Sequence, residues 1–338
     1  MSGKNQIQKS VSELRQDLVS GDWVVIATGR AKRPNFFKEK KIMPDQPVQA
    51  CPFENPQKST HGDPFYVSPN LKNWWVQVVG NKYPAFGPGN CLILTKNGPY
   101  SQIDGAGFHE LVITRDHKRS IAEMSAKEVE AIILAYKNRY SEHSKSECVE
   151  YISIFHNHGP AAGASISHPH SQIIAIPVVP PDVGRSLNGS ADYFKKNKKR
   201  VHDVMLDFEM KEQTRIVYEN KDFVSLCPFV SRSIFEVRIF PKKHNPYFED
   251  IKTEEVKTLA DILQKTLSKI FKGLNNPSYN FFIHTSPTKD REFYDHYHWH
   301  IEILPRASVW GGVELGIGIE ILTVLPEDAA EYLRGIKI

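Results

Sequence analysis

The 338-residue chain predicts an α+β fold of two tandem halves, each an antiparallel sheet covered by helices. Two observations carry this reading. A strand, helix, strand, strand pattern runs through residues 108–177 and again through 234–305, its matching elements about 127 residues apart, a spacing that chance placement would rarely hold over four elements. Each copy also closes on an apolar strand entered through histidines, His168-Pro-His170 in one and His296-Tyr-His298-Trp-His300 in the other. A meander with one helical crossover suits an antiparallel sheet rather than a doubly wound parallel one. The expected units are residues 1–180 and 181–338.

The elements follow in order. Residues 108–117 read as a strand, and Ser125 with Glu128 forms a capping box before a helix whose face carries Val129, Ile132, Ile133 and Tyr136. Residues 151–157 form the next strand, and the strand from His168 ends at Pro177. Residues 177–181, Pro-Val-Val-Pro-Pro, predict a rigid turn, and 191–205 a helix within the connection. The second copy repeats the order: a strand over 234–244, a helix capped by Thr253 with Val256, Leu259, Leu263 and Leu267 on one face, a strand over 279–284 and a last one over 296–305.

Composition sets limits on function. Hydrophobic residues make up 40% and charged residues 24%, an ordinary globular balance with enough apolar material for a sizeable core. A net charge of +4, small and spread along the chain, suggests anionic small molecules at least as readily as nucleic acid, and no nucleic-acid partner is expected. The basic run at 195–200 reads as a solvated helix face or loop. No apolar stretch approaches the ~20 residues that span a bilayer, and the polar start lacks a signal-peptide core, so a cytoplasmic protein without membrane partners is expected. Cys51, Cys91, Cys148 and Cys227 are widely spaced and argue against a disulfide framework.

The chemistry concentrates in residues 168–177. In an extended segment side chains repeat every two residues, so His168, His170 and Gln172 share one face. Upstream lies a small-residue loop, residues 159–165, whose backbone amides can approach a phosphate closely. A neutral imidazole anchored through one nitrogen is a competent nucleophile through the other. The Gln172 amide can donate to a phosphoryl oxygen without repelling it, as Asp or Glu would.

Cys51 and Glu54, with His109 on the strand opening the first copy and His168 on the strand closing it, supply sulfur, oxygen and nitrogen donors that tetrahedral Zn²⁺ accepts. His61 is an alternative to Glu54, and the competing reading of His109 is a half-buried strand histidine satisfied by backbone. His170 as a further ligand is the competing reading of the run.

His168-Pro-His170-Ser-Gln172, with Asn157, Gly163-Ala164-Ser165 and Arg30-Ala-Lys-Arg33-Pro34 after Trp23-Val-Val-Ile26, resembles the galactose-1-phosphate uridylyltransferase family of the histidine-triad superfamily. The resemblance covers about residues 12 to 334. It implies two fused histidine-triad-like halves, a homodimer, and a ping-pong reaction in galactose metabolism with His170 as nucleophile and Gln172 steadying the transferred phosphate. In that scheme UDP-glucose and a hexose 1-phosphate are the substrates, and a uridylyl-histidine is the intermediate. Arg30, Arg33, Asn81, Asn157, Gly163, Ala164 and Ser165 match positions that contact nucleotide and phosphate. Cys51, His109 and His168 match structural zinc ligands, with Glu54 where the family has a second cysteine.

The resemblance also implies a second metal in the C-terminal half, drawn from His284 and either His296 with His298 or His298 with His300; His244 is a further candidate. Arg200 and Asp203 stand where some relatives have cysteines. The run Gly311-Gly-Val-Glu-Leu-Gly-Ile-Gly318, with residues 177–181 and Asp192-Tyr-Phe194, resembles the plant branch that acts as ADP-glucose phosphorylase, through an adenylyl-histidine that phosphate intercepts. Uridylyl transfer is the first expectation and ADP-glucose phosphorolysis the second. A zinc-bound nucleotide-binding module without turnover is the third, disfavoured because binding alone requires neither His170 nor Gln172.

Overall fold

The computed structural model describes residues 12–32, 47–59, 61–91, 93–306 and 311–338. An N-terminal hairpin pairs β1 (Glu13–Gln16) with β2 (Trp23–Ile26). The first half then runs through β3 (Tyr66–Ser68), β4 (Val76–Gly80), a small exposed hairpin of β5 (Thr95–Asn97) and β6 (Tyr100–Gln102), and β7 (Phe108–Thr114). Helix α1 (Ala126–His143), β8 (Tyr151–His158) and β9 (His170–Ile176) complete it. Helices α2 (Pro181–Asn197) and α3 (Val201–Glu212) lead to β10 (Ile216–Glu219), β11 (Phe223–Leu226), β12 (Val237–Pro241), α4 (Thr253–Gly273), β13 (Tyr279–His284) and β14 (His300–Pro305). Helix α5 (Gly312–Ile317), β15 (Glu320–Leu322) and α6 (Pro326–Gly335) end the chain.

The α+β class and the repeat are both present, and the two halves share one sheet. Ten strands pair in the order β10-β11-β12-β14-β13-β8-β9-β7-β4-β3, antiparallel throughout, with β8 and β13 forming the seam. Helices α1 and α4, which begin at equivalent places in the repeat, cover one face: Ile132, Tyr136, Leu263 and Leu267 pack with Ile154, Ile173, Phe281 and Ile303 in one buried cluster. Because side chains alternate along a strand, Ser171, Ile173 and Ala175 turn toward the helices and His170 and Gln172 toward the opposite face. The candidate site residues thus stand on a platform fixed from behind by the core.

Local chemistry explains the helix starts. Ser125 caps α1, and the Glu128 carboxylate accepts from Ser125 N–H at 2.8 Å, as the capping-box pattern predicts. Thr253 is the first helical residue of α4 rather than its cap; the Glu255 carboxylate reaches back to Lys252 N–H at 2.9 Å. The connection holds two helices where one was expected over 191–205. Pro181 opens α2 at the position where its missing N–H costs nothing, and Lys198 ends it in the left-handed conformation with φ 57°. Lys195 to Lys199 are exposed, as their charge demands.

Two further departures concern long-range contacts. The β1–β2 hairpin, grouped by sequence with the first half, packs on the second: β2 pairs in parallel with β15, and Arg15 reaches Glu327 at 3.0 Å and the Phe229 carbonyl at 3.2 Å. Val24 and Ile26 are buried with Val230, Ile234 and Leu322. Cys91 and Cys148 form a disulfide, contrary to the expectation from their spacing, because the long excursion before β7 folds back over the start of β8. Cys51 and Cys227 are free and buried. No described helix is long and apolar enough to cross a membrane.

Candidate active site and metal-ligand cluster

His170 opens β9, and its own strand entry fixes its ring. Nδ1 donates to the His168 carbonyl at 2.9 Å, so Nε2 keeps its lone pair. Only 7% of the residue is exposed, and burial lowers its pKa below the usual histidine range, which keeps the imidazole neutral at physiological pH. The Phe53 ring lies edge-on, its centroid 4.9 Å away, and walls the imidazole on one side. A neutral imidazole, anchored through one nitrogen with the other lone pair free, is what attack on phosphorus requires.

Gln172 shares that face, but its immediate partner is one the sequence had placed elsewhere. His109 Nε2 lies 2.8 Å from Gln172 Oε1, while His109 Nδ1 accepts from Ala85 N–H at 3.1 Å. His109 therefore stands beside Gln172 and not in the metal-ligand cluster expected for it. Asn81 follows β4, with its amide 3.0 Å from the same Nε2 and its own carbonyl oxygen accepting from Tyr83 N–H at 2.9 Å.

The loop after β8 differs in detail from the anion cradle its composition suggests. The amides of Ala162, Gly163 and Ala164 donate to the Gly159 and Pro160 carbonyls, so they build the loop itself. Gly159 and Gly163 take positive φ, and a Cβ at Gly159 would run into Ser278. Asn280 spans the seam, donating at 2.8 Å both to Asn157 Oδ1 and to the Ala162 carbonyl, which ties Asn157 to the loop that carries exposed Ser165. Arg30 is exposed in the turn after β2, and Arg33 lies outside the described residues.

Behind Phe53 the second cluster forms. Ligand atoms of Cys51, His117 and His168 all lie within 4.8 Å of one another. Cys51 Sγ is 3.5 Å from His168 Nδ1, and Glu54 Oε1 is 3.0 Å from His117 Nδ1 and 3.5 Å from His168 Nδ1. His168 Nε2 donates to the Thr114 carbonyl at 2.6 Å, which leaves Nδ1 as the free lone pair aimed at Cys51. Three of the four expected donors converge, and His117 takes the place given to His109. The reason is register: His109 is the second residue of β7, at the end beside Gln172 and Asn81, whereas His117 follows the opposite end and curls toward the Cys51 loop. His61 is not part of this group; its Nδ1 meets the Gly80 carbonyl at 3.0 Å. One thiol, one carboxylate and two imidazoles, with one imidazole oriented by a backbone carbonyl, suit a tetrahedral divalent ion. Burial pushes the Cys51 thiol up, a cost that a bound cation would offset.

The second half repeats this frame with other chemistry. His300 Nδ1 donates to the His298 carbonyl at 3.1 Å, as His170 does to His168. Ligand atoms of His284, His300 and Glu302 lie within 4.8 Å of one another, so Glu302 and not His298 joins the second cluster. His298 is spent: Nε2 donates to the Pro241 carbonyl at 2.9 Å, Nδ1 accepts from Asn245 N–H at 3.0 Å, and burial drives its pKa down to about 4. His296 Nε2 meets the Leu187 carbonyl at 3.1 Å, outside the cluster. His244, the counterpart of His117, faces Asp203 and Asp295 at 3.8 and 3.5 Å. Arg200 bonds Asp295 at 2.6 Å, so an ion-pair network occupies the place of the first half's Cys51 cluster.

Comparison with known proteins agrees with this geometry. The family model for the galactose-1-phosphate uridyl transferase N-terminal domain matches residues 4–180. The chain is 36% identical to ADP-glucose phosphorylase of Arabidopsis thaliana, over 99% of this chain and 95% of that one. It is 27% identical to galactose-1-phosphate uridylyltransferase of Thermotoga maritima, over 96% of this chain and 99% of that one. The crystal structure of the Arabidopsis ADP-glucose phosphorylase with bound ADP-glucose superposes with a TM-score of 0.84 at 34% identity, covering 97% of this chain and 100% of that one. A uridylyltransferase structure gives 0.73 at 26% identity, over 95% and 97%. From the anchored His170, the neighbouring Gln172 and these likenesses together, the chain belongs to the galactose-1-phosphate uridylyltransferase family of nucleotidyltransferases.

Proposed function

We propose that this protein transfers the nucleotidyl group of a sugar nucleotide through a covalent intermediate on His170, with ADP-glucose as donor and inorganic phosphate as acceptor. The observation that carries the reading is the His170 ring, locked through Nδ1 onto the His168 carbonyl with Nε2 open beside Gln172. The choice of adenine and phosphate rests on the 36% identity to the plant ADP-glucose phosphorylase, against 27% to the Thermotoga uridylyltransferase. Uridylyl transfer from UDP-glucose to galactose 1-phosphate is the second reading, on the same site and mechanism.

In the first step His170 Nε2 attacks the α-phosphorus; the P–N bond forms, the bond to the bridging oxygen breaks, and glucose 1-phosphate leaves. In the second a phosphate oxygen attacks that phosphorus, the P–N bond breaks, and ADP leaves with His170 restored. Positioning and charge neutralisation carry most of the catalysis, as in phosphoryl transfer generally. The Gln172 amide donates to a non-bridging oxygen as charge builds on it. Cys51, Glu54, His117 and His168 would hold a structural zinc ion. That ion would tie the Cys51 loop to the entry of β9, so that the His168 carbonyl holds His170 at a fixed angle. A homodimer belongs to the same reading, supported by Val313, Leu315 and Ile317, which α5 leaves exposed.

The test is incubation with labelled ADP-glucose and UDP-glucose separately, followed by mapping of an acid-labile adduct. Adduct on His170 from ADP-glucose, discharged by phosphate, is the expected result. Preference for UDP-glucose with discharge by a hexose 1-phosphate would establish the second reading. No adduct from either donor, with His170→Ala leaving any activity unchanged, would exclude the covalent mechanism.

A further inference from the structure

We infer that His109 is a positioning residue for the nucleotidyl transfer: its Nε2–H holds the Gln172 carboxamide by its oxygen and so turns the amide N–H₂ toward the transferred phosphate. The inference rests on the proposed function for its kinetic consequence, but not for its geometry.

A glutamine side chain carries a donor and an acceptor of nearly equal size at its tip, so its usefulness beside a phosphate depends on which end faces inward. With the oxygen inward, Gln172 would repel a phosphoryl oxygen much as a carboxylate does. The decision is made one residue away. Ala85 presents a backbone N–H to His109 Nδ1 at 3.1 Å, and a backbone N–H can only donate. Nδ1 must therefore accept, and the ring proton of a neutral His109 sits on Nε2. That proton meets Gln172 Oε1 at 2.8 Å and leaves Gln172 Nε2 for the site.

One contact opposes this assignment. The Asn81 amide nitrogen lies 3.0 Å from the same His109 Nε2, donor against donor. The opposite tautomer would relieve it but would set Nδ1–H against the Ala85 N–H and put the Gln172 oxygen toward the phosphate. Tyr83 N–H holds Asn81 by its side-chain oxygen at 2.9 Å, so the contact is relieved by a swing of the Asn81 Nδ2 away from His109 and not by a flip of the amide, whereas the Ala85 N–H is fixed by the chain. The backbone donor therefore decides the tautomer.

His109 also leans on a stretch of chain that is itself restrained. Gly87 N–H donates to the Gly105 carbonyl, and the disulfide at Cys91 anchors the segment between them to the start of β8. The relay from Ala85 through His109 to Gln172 thus starts from a braced loop and ends on β9, two residues from the nucleophile.

The test compares His109→Leu, which removes the donor, with His109→Gln, which places an N–H near the position of Nε2. His109→Leu is expected to lower kcat about tenfold with the KM for the sugar nucleotide little changed, and His109→Gln to recover most of the loss. In a Gln172→Ala background, His109→Leu should cost nothing further, since it acts through Gln172 alone. An equal loss in that background, or no loss in the wild-type background, would overturn the inference. Nitrogen-15 spectra of histidine-labelled protein read the tautomer without any turnover: proton on Nε2 is expected, and proton on Nδ1 overturns the inference. Failure of the wild type to form any adduct would sink the proposed function while leaving that tautomer measurement decisive for His109.

Discussion

Phe155 stands directly opposite Phe282 in the seam between β8 and β13, and each is the other's counterpart in the repeat. Equivalent strands paired antiparallel make a local two-fold axis, which here runs between the two phenylalanines. Outward from them one row crosses the sheet: Gln172 and Leu111 on one side, Glu302 and Arg238 on the other. Backbone and anchored histidines match across the axis. What differs is an amide in one half against a carboxylate, 3.4 Å from a guanidinium, in the other.

That difference predicts which half reacts. Gln172→Glu should give the first half the charge of the second and cut adduct formation about 100-fold or more, the scale lost when a donor to developing phosphoryl charge is removed. Glu302→Gln should leave the rate of adduct formation at His170 unchanged. Intact-protein mass measured against time after mixing with sugar nucleotide reads both.

The metal-ligand cluster predicts a clean separation between two histidines. His117→Ala and Cys51→Ser should each lower bound zinc and reduce the melting temperature by several degrees, because the Cys51 loop is then held to β9 by fewer bonds. His109→Leu should retain its zinc. Metal analysis of purified variants checks this, and zinc lost from His109→Leu but kept by His117→Ala would reverse the assignment.

Much of this was legible in the chain. The strand and helix periods placed the central elements of both halves, and Ser125 with Glu128 marked the start of α1 because capping is a local interaction. His170 and Gln172 were legible because a period of two sets the face they share. His109 against His117 was not: one sits at the start of β7 and the other just past its end, and the choice depends on how the chain turns after β7, which is a tertiary matter. The repeat did hold a signal, since its spacing carries His117 onto His244, a residue already noted as a candidate ligand. The β1–β2 hairpin crossing to the second half and the Cys91–Cys148 pairing left no local trace, as both depend on contacts distant in sequence.

Glu249 gives a pH dependence of stability with a definite sign. Burial raises its carboxyl from 4.5 to about 7, against the pull of Arg291 at 2.9 Å. Between those values the folded protein holds a proton that the unfolded chain has released, so stability falls as pH rises from about 4.5 to 7 and this contribution is level above. Glu249→Gln lacks the titration. Its melting temperature relative to wild type should climb between pH 5 and pH 7.5, and a gap constant with pH would contradict the shifted carboxyl.

Ser171 lies between His170 and Gln172 but faces the helices, and its Oγ is shared by Tyr136 OH at 2.5 Å and His156 Nδ1 at 3.0 Å. All three residues are buried, and burial raises the Tyr136 pKa and lowers that of His156, so the chain of bonds is neutral. Ser171→Ala would strand a hydroxyl and an imidazole nitrogen in the core at once, at a cost of about 3 kcal/mol, since each unsatisfied buried group forfeits its solvation. Tyr136→Phe removes one partner and leaves Ser171 with His156, so it should cost about 1 kcal/mol. Urea unfolding followed by tryptophan fluorescence measures both. A larger loss for Tyr136→Phe than for Ser171→Ala would mean that the serine is not the shared link that holds β9 against α1.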